Sequence, residues 1–417
     1  MNSKSSPSFN LLAPLSVSIV VITLGAAFGV LSGRGALIGM VSTCLVTLVA
    51  ALIGGSRYGV SSPTGPMTAA IGAILILDQQ WLSTHASDLS TVELMSLTLV
   101  FSAVILFLLT LFKVHKLVKW VPNLVVSGFV NGIALLIILA QFRSMQGGSD
   151  WILMGMTLGV ALLMNRLNKN FEHQVWRIIT GSLVVIVFMS VLAFFIDVPF
   201  SYIDFESNIA GIQWAWPRLN MINFETLWIL LPLALELALI ALLDTLLTAM
   251  IMDKKSGHKT KMTRELSGQS LSLFVVSLFG GIPGAQSTVP SMMLYQEKGH
   301  HRFSKLVLAG FCLLFTFVFA GLIQFVPLAV FGGVILKIAL DVADLTSIKA
   351  LLSSQKKQKT IRILVTLGTI LSTVFLSLNL AVIFFTAVFV FWNGIMPKKW
   401  RIPDLTSDES EGVLDEV

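Results

Sequence analysis

Apolar stretches long enough to cross a bilayer recur along the whole chain. Roughly twelve are of full or nearly full length and two look truncated, with short polar joints between them. Lipid offers the backbone no hydrogen-bonding partner, so a spanning segment has to satisfy its own amides, and helices do so. Composition agrees. Hydrophobic residues make up 55% of the 417 and charged residues 12%, which leaves too little polar side chain to cover a soluble globule. The expectation is an all-α polytopic membrane protein of about 14 transmembrane segments.

Charge placement sets the topology. With fourteen segments and the N-terminus inside, all but four of the 28 Lys and Arg fall in cytoplasmic pieces; the exceptions are Arg34, Arg143, Arg218 and the intramembrane Lys337. The positive-inside rule therefore puts both termini in the cytoplasm. Clusters such as Lys254-Lys255…Lys259…Lys261…Arg264 read as topology signals against anionic headgroups, and nucleic acid is excluded as a partner. The outer joints are acidic: Asp78, Asp88 and Glu93 flank one, and Asp197, Asp204, Glu206 and Glu225 punctuate the longest, where Trp214, Trp216 and Trp228 read as interfacial anchors. Cys44 and Cys312 lie in apolar runs as packing residues. Five of the six histidines (His115, His173, His258, His300 and His301) fall in cytoplasmic joints as solvated surface, and no ligand spacing for a metal occurs. The apolar run from Leu11 to Leu31 has no cleavage site and stays as the first segment.

Two places break the helical rhythm in a related way. One runs Gly54-Gly55-Ser56 through Ser62-Pro63-Thr64-Gly65-Pro66 into the short apolar stretch Met67–Leu77; the other runs Gly280-Gly281-Ile282-Pro283-Gly284 through Gln286-Ser287-Thr288 to Pro290. Gly- and Pro-interrupted short segments in corresponding positions of two halves mark the midplane site of an inverted-repeat transporter. They fall in the third and the tenth segment, an odd offset that makes the halves seven segments each and opposite in orientation. A half-helix that starts at mid-membrane points orphan N–H groups and the positive end of its dipole into a cavity, which suits an anion. Ser62, Thr64, Ser287 and Thr288 are placed to cap those starts.

Asp244 stands in the apolar run Thr226–Met252. A charge at the centre of a membrane helix costs roughly 2.5–3.5 kcal/mol on insertion scales and usually faces a polar pathway. Thr248, four residues on, lies about 40° and ~6 Å away on the same helical face. Carboxylate, hydroxyl and unwound carbonyls form a hard oxygen site for a monovalent cation or a proton. Glu236, eight residues before Asp244, belongs either to that pathway or to the outer interface. Lys337 has a stem long enough to snorkel to the inner interface.

The block Asp244-Thr245-Leu246-Leu247-Thr248…Asp253…Gly257-His258…Thr263-Arg264-Glu265-Leu266…Phe279-Gly280-Gly281-Ile282-Pro283-Gly284 resembles the signature of the SulP inorganic anion transporters. Asn10-Leu11-Leu12-Ala13, Ala27-Phe28-Gly29, Gly54-Gly55-Ser56-Arg57, Val121-Pro122…Ser127-Gly128-Phe129 and Val326-Pro327-Leu328-Ala329 extend the resemblance over nearly the whole chain. It implies a uracil-permease-like fold of 7+7 inverted repeats with core and gate subdomains. Residues 1–14 would be a cytoplasmic tail, 15–114 and 226–325 the two parts of the core, 115–200 and 326–395 the two parts of the gate, and 396–417 a disordered cytoplasmic tail without a STAS domain. It further implies a homodimer in a bacterial inner membrane. Phe28, Thr64, Gly65, Ala285, Gln286, Ser287 and Thr288 would line the substrate site, with Asp244, Thr248 and Glu236 on the cation side. The Asp with a Thr four residues on is similar to the sodium-coupled bicarbonate members, whereas proton-coupled members more often carry Glu.

Two side chains depart from the family pattern: Pro290 stands where an Arg is common, and Thr23 where the first segment usually has Pro. The expected activity is symport of a small inorganic oxyanion such as bicarbonate or sulfate with sodium or protons. No cofactor is implied, only a sodium ion at Asp244. The alternatives are an uncoupled anion channel or exchanger, and a nucleobase permease of the same fold. An enzyme is not expected, because no nucleophile–base pair, nucleotide loop or metal motif occurs.

Overall fold

The structure is a computed structural model that describes residues 10–84, 90–114, 116, 122–144, 147–168, 182–196, 198, 200–202, 224–299, 303–345, 347–349, 356–375 and 378–395. Both tails, every histidine except His258, Asp88, Asp197, Asp204, Glu206, Trp214 and Trp216 lie partly or wholly outside these residues. Fourteen α-helices occur among those described. The first seven are α1 (Leu12–Leu31), α2 (Ala36–Ile53), α3 (Gly65–Thr84), α4 (Thr91–Leu111), α5 (Asn123–Ser144), α6 (Gly148–Asn168) and α7 (Ser182–Phe195). The second seven are α8 (Phe224–Ser256), α9 (Met262–Ser277), α10 (Thr288–Gln296), α11 (Ser304–Ala320), α12 (Leu328–Val342), α13 (Lys356–Phe375) and α14 (Leu378–Ile395). Two four-residue strands, β1 (Val60–Pro63) and β2 (Gly284–Ser287), precede the third helix of each set.

By length and composition α1, α2, α4 and the Leu230–Asp253 stretch of α8 suffice to cross a membrane. Their packing repeats. α1 lies on α11 as α8 lies on α4; α2 lies on α11 as α9 lies on α4; α1 meets α10 as α8 meets α3; α2 faces α9. Exchanging each helix for the one seven places away leaves this set of contacts unchanged, and β1 pairs with β2 antiparallel. Two repeats of opposite orientation produce that pattern.

The broken segments differ from expectation in one respect. α10 is short, at 9 residues, but α3 runs for 20. After the apolar Met67–Leu77 the chain continues Asp78-Gln79-Gln80-Trp81 with neither Gly nor Pro, so nothing stops the helix where the apolar run stops. α8 likewise outlasts its apolar run, holds Pro232 inside, and ends at Gly257, whose φ of +69° is the left-handed turn that closes a helix.

Contacts divide the chain into two compact units, Met1–Lys113 with Arg143–Ile335, and Val114–Phe142 with Leu336–Val417. In the second, Gly128 and Gly132 of α5 receive Thr369 and Thr373 of α13, a small-residue packing suited to membrane helices. Lys337 forms an ion pair with Asp341 one turn further along α12, so its charge has a local partner. The first unit holds every residue of the candidate site. Its buried Cys44 packs Sγ against Thr316 Oγ1 at 3.0 Å, in keeping with a packing role.

Candidate functional site

Strand pairing fixes where the two breaks meet. Val60 pairs with Ser287, Ser61 with Gln286, Ser62 with Ala285 and Pro63 with Gly284. Because the strands are antiparallel, the helices that follow them start at opposite ends of the ladder, ~10 Å apart, and α3 and α10 run away from the crossing in opposite directions. The first residues after the strands are Thr64 and Thr288.

α8 links both starts. Its Asp244 carboxylate neighbours Thr64, Thr245 Oγ1 accepts from the Gln286 backbone N–H at 3.5 Å, and Thr248 Oγ1 lies 2.8 Å from Thr288 Oγ1. Several polar atoms here are buried with no hydrogen-bond partner: Asp244 Oδ2, Thr64 Oγ1, Thr68 Oγ1, Ser61 Oγ and both amide atoms of Gln286. Buried polar atoms are rarely left so, and Asp244 Oδ2 beside the Thr64 hydroxyl marks room for a ligand, whereas the Gln286 amide packs against Gly59. The carboxylate and hydroxyls suit a hard cation; the N–H groups of two helix starts suit an anion.

The hydroxyls expected to cap the helix starts do not do so. Ser287, the residue before α10, makes no side-chain cap; Ser62 Oγ reaches only its neighbour's carbonyl, on Pro63, at 3.4 Å; Thr288 is committed to Thr248; and Thr64 Oγ1 is unpartnered. Ser287 has the extended backbone usual for a cap (φ −96°, ψ 131°), so it is the direction of its side chain that leaves the N–H groups of the first turn of α10 to other acceptors.

Each break is held by the opposite repeat. Glu265, on α9 and buried, accepts from the Gly55 N–H at 2.6 Å and the Ser56 N–H at 2.7 Å. Arg264 Nε donates to the Ile53 carbonyl at 2.6 Å, and Lys305 Nζ to the Ser56 carbonyl at 2.7 Å. Conversely, Arg34 donates from Nε (3.2 Å) and from a terminal guanidinium nitrogen (2.9 Å) to the Gly280 carbonyl, and Ser42 Oγ of α2 accepts from the Ile282 N–H at 2.8 Å. Asp253 ties the end of α8 to the joint before α9, accepting from the Thr260 N–H at 2.9 Å and its hydroxyl at 2.6 Å.

One turn beyond the Thr248–Thr288 pair the seam between α8 and α10 becomes apolar. Met252 and Met292 pack with Tyr58, and Tyr295 and Ile251 cover them. Outside this layer stand Arg57, over the Tyr58 ring at 5.7 Å, and the exposed His258, whose Nε2 lies 2.6 Å from an Arg57 guanidinium nitrogen. The polar cluster therefore ends on this side in an apolar plug with Arg57 and His258 beyond it.

The sequence expectations map onto this geometry unevenly. Thr64, Gly65, Ala285, Gln286, Ser287, Thr288, Asp244 and Thr248 lie on the crossing or on the helix that bridges it, and Phe28 is buried on α1, which packs against β1, α3 and α10. Glu236 is half-buried, eight residues before Asp244 on α8. Sequence reasoning passed over Ser61, Thr68, Thr245 and Gln269. The strand period of two would have paired Ser61 with Gln286, but only once the register was known.

Comparison with known proteins supplies the remaining findings. A family model described as the Sulfate permease family matches residues 8–151 and 149–366. The chain is 27% identical over 423 residues to the "Bicarbonate transporter BicA" of a Picosynechococcus strain, covering 96% of this chain and 72% of that protein. It is 26% identical over 386 residues to the "Putative sulfate transporter YbaR" of Bacillus subtilis, covering 91% and 77%. Among solved structures, the transmembrane domain of a cyanobacterial bicarbonate transporter BicA matches with a TM-score of 0.74 at 24% identity, over 89% of this chain and 96% of that one. Murine Solute Carrier 26 family member A9, an anion transporter solved in the inward-facing state, matches at 0.72 and 16%, over 94% and 70%.

Proposed function

Since this chain belongs to the sulfate permease family, we propose that it is a secondary active transporter that carries a small inorganic oxyanion, bicarbonate or sulfate, together with a cation bound at Asp244. The observation that carries this reading is the buried Asp244 Oδ2, without a hydrogen-bond partner, beside the Thr64 hydroxyl at the strand crossing.

Coupling follows from electrostatics. A bare carboxylate and an anion repel strongly in a low-dielectric pocket, whereas a cation held by Asp244 and the Thr248–Thr288 hydroxyls cancels that repulsion and leaves the helix starts free to bind the anion. With Pro290 where an Arg is common in the family, the neutral donors of the breaks and the bound cation supply all the attraction. Sodium is favoured over the proton because the hydroxyl pair beside the carboxylate adds oxygen ligands that a proton does not need. The same reading takes the first compact unit as carrying the transported ions, and has the chain acting as a homodimer in a bacterial inner membrane, with both termini in the cytoplasm.

The test is uptake of labelled bicarbonate and, separately, labelled sulfate into proteoliposomes with and without an inward sodium gradient. Uptake of one anion that rises with the gradient supports the symport reading and names the substrate. Uptake indifferent to sodium and to a proton gradient would instead favour an uncoupled channel or exchanger, and uptake of nucleobases alone would favour the nucleobase alternative.

A further inference from the structure

Gln269 lies fully buried on α9. Its Nε2 donates to the Gly284 carbonyl at 2.6 Å, while its Oε1 is buried without a partner. An amide left half-satisfied in an apolar interior is costly, so the bond it does make has a task that outweighs the loss.

The register shows that task. Gly284 sits opposite Pro63, and because proline has no N–H the two exchange no hydrogen bond; in such a pair the Gly284 carbonyl points off the ladder, toward α9. The first residue of β2 therefore takes its donor from α9. On the other strand, the Ser61 carbonyl takes its donor from Thr47 Oγ1 of α2 at 2.9 Å, and α2 and α9 occupy equivalent places in the two repeats. The Gly284 C=O and the Ala285 N–H share one planar peptide unit and point opposite ways, the N–H across the ladder to Ser62, its hydrogen-bonded partner in the register, so holding the oxygen also holds β2 on β1.

We infer that Gln269 is a positioning residue: through the Gly284 carbonyl it holds the start of β2 on the ladder and so sets the entry into α10, and with it the geometry in which the transported anion meets the second break. The effect on the anion rests on the transport reading above; the effect on the backbone does not. Gln269 acts from behind the strand and touches neither ion.

The test uses the full chain in lipid nanodiscs and proteoliposomes. Gln269→Met keeps the side chain's length and removes the donor. Amide exchange over Gly284–Thr288 should then quicken about tenfold, with the β1 amides unchanged. The KM for anion uptake should rise about tenfold while the maximal rate stays within about twofold, a split that general loosening of the fold would not give. Gln269→Glu provides a second reading, because a carboxylic acid donates to Gly284 only when protonated; its exchange rate relative to wild type should return toward one as pH falls. Faster exchange at β2 in a protein that carries no anion would support the positioning role and overturn the transport reading. Unchanged exchange over Gly284–Thr288 in Gln269→Met, or a pH-independent ratio in Gln269→Glu, would overturn the positioning role.

Discussion

The two breaks perform one structural task with different chemistry. At the first, a buried carboxylate, Glu265, gathers two backbone N–H groups at 2.6 and 2.7 Å, and two cations take the flanking carbonyls. At the second, a guanidinium, Arg34, takes one carbonyl and a hydroxyl, Ser42, accepts one N–H. Charge-assisted bonds to a buried carboxylate are the stronger kind, so the first break is the more firmly held. The repeat symmetry fixes where a clasp has to be, and leaves open which side chain provides it.

The comparison breaks most severely at Glu265. Glu265→Ala strands the buried Ser56 N–H and the half-buried Gly55 N–H and should cost about 3–5 kcal/mol, read as a large fall in melting temperature in detergent, with Glu265→Gln recovering part of it. Next comes Gly55→Ala: a Cβ there would lie 2.3 Å from the Lys261 carbonyl oxygen, a backbone atom that cannot step aside. The expected loss is about 2–3 kcal/mol by the same measurement. At the second break, Arg34→Met should cost about 1–2 kcal/mol, and Ser42→Ala, which orphans only the Ile282 N–H, about 1 kcal/mol. Glu265→Ala and Arg34→Met should add, because the two clasps share no partner. A larger loss at Arg34 than at Glu265 would reverse the ranking.

Much of this was legible from residues alone, for identifiable reasons. Apolar length gave the helices, and paired Gly, Ser/Thr and Pro patterns gave the two breaks, because each is a local signal. Asp244 stood out because a carboxylate in an apolar run has few bland explanations, and Thr248 followed from helical spacing. What stayed hidden is long-range. Glu265 reaches Gly55 across 210 positions, and nothing periodic links them; the Glu was visible as part of a motif but its task was not. The length of α3 is not legible from its apolar run, which ends at Leu77, because the polar stretch after it carries the helix on to Thr84. Thr64 differs from expectation for another reason: a Ser or Thr before a helix is usually a cap, but here that side chain lies against the Asp244 carboxylate, 180 positions away in the chain.

The most direct test of the account is the linkage between sodium and the anion. The apparent affinity of the purified wild-type protein for bicarbonate and for sulfate would be measured across a sodium titration at fixed ionic strength, and repeated with Asp244→Asn. If the cation at Asp244 relieves the charge that opposes the anion, saturating sodium should tighten binding of the transported anion about tenfold or more in the wild type, and the dependence should vanish in the variant. An anion affinity that rises equally with sodium in both proteins would contradict Asp244 as the coupling site.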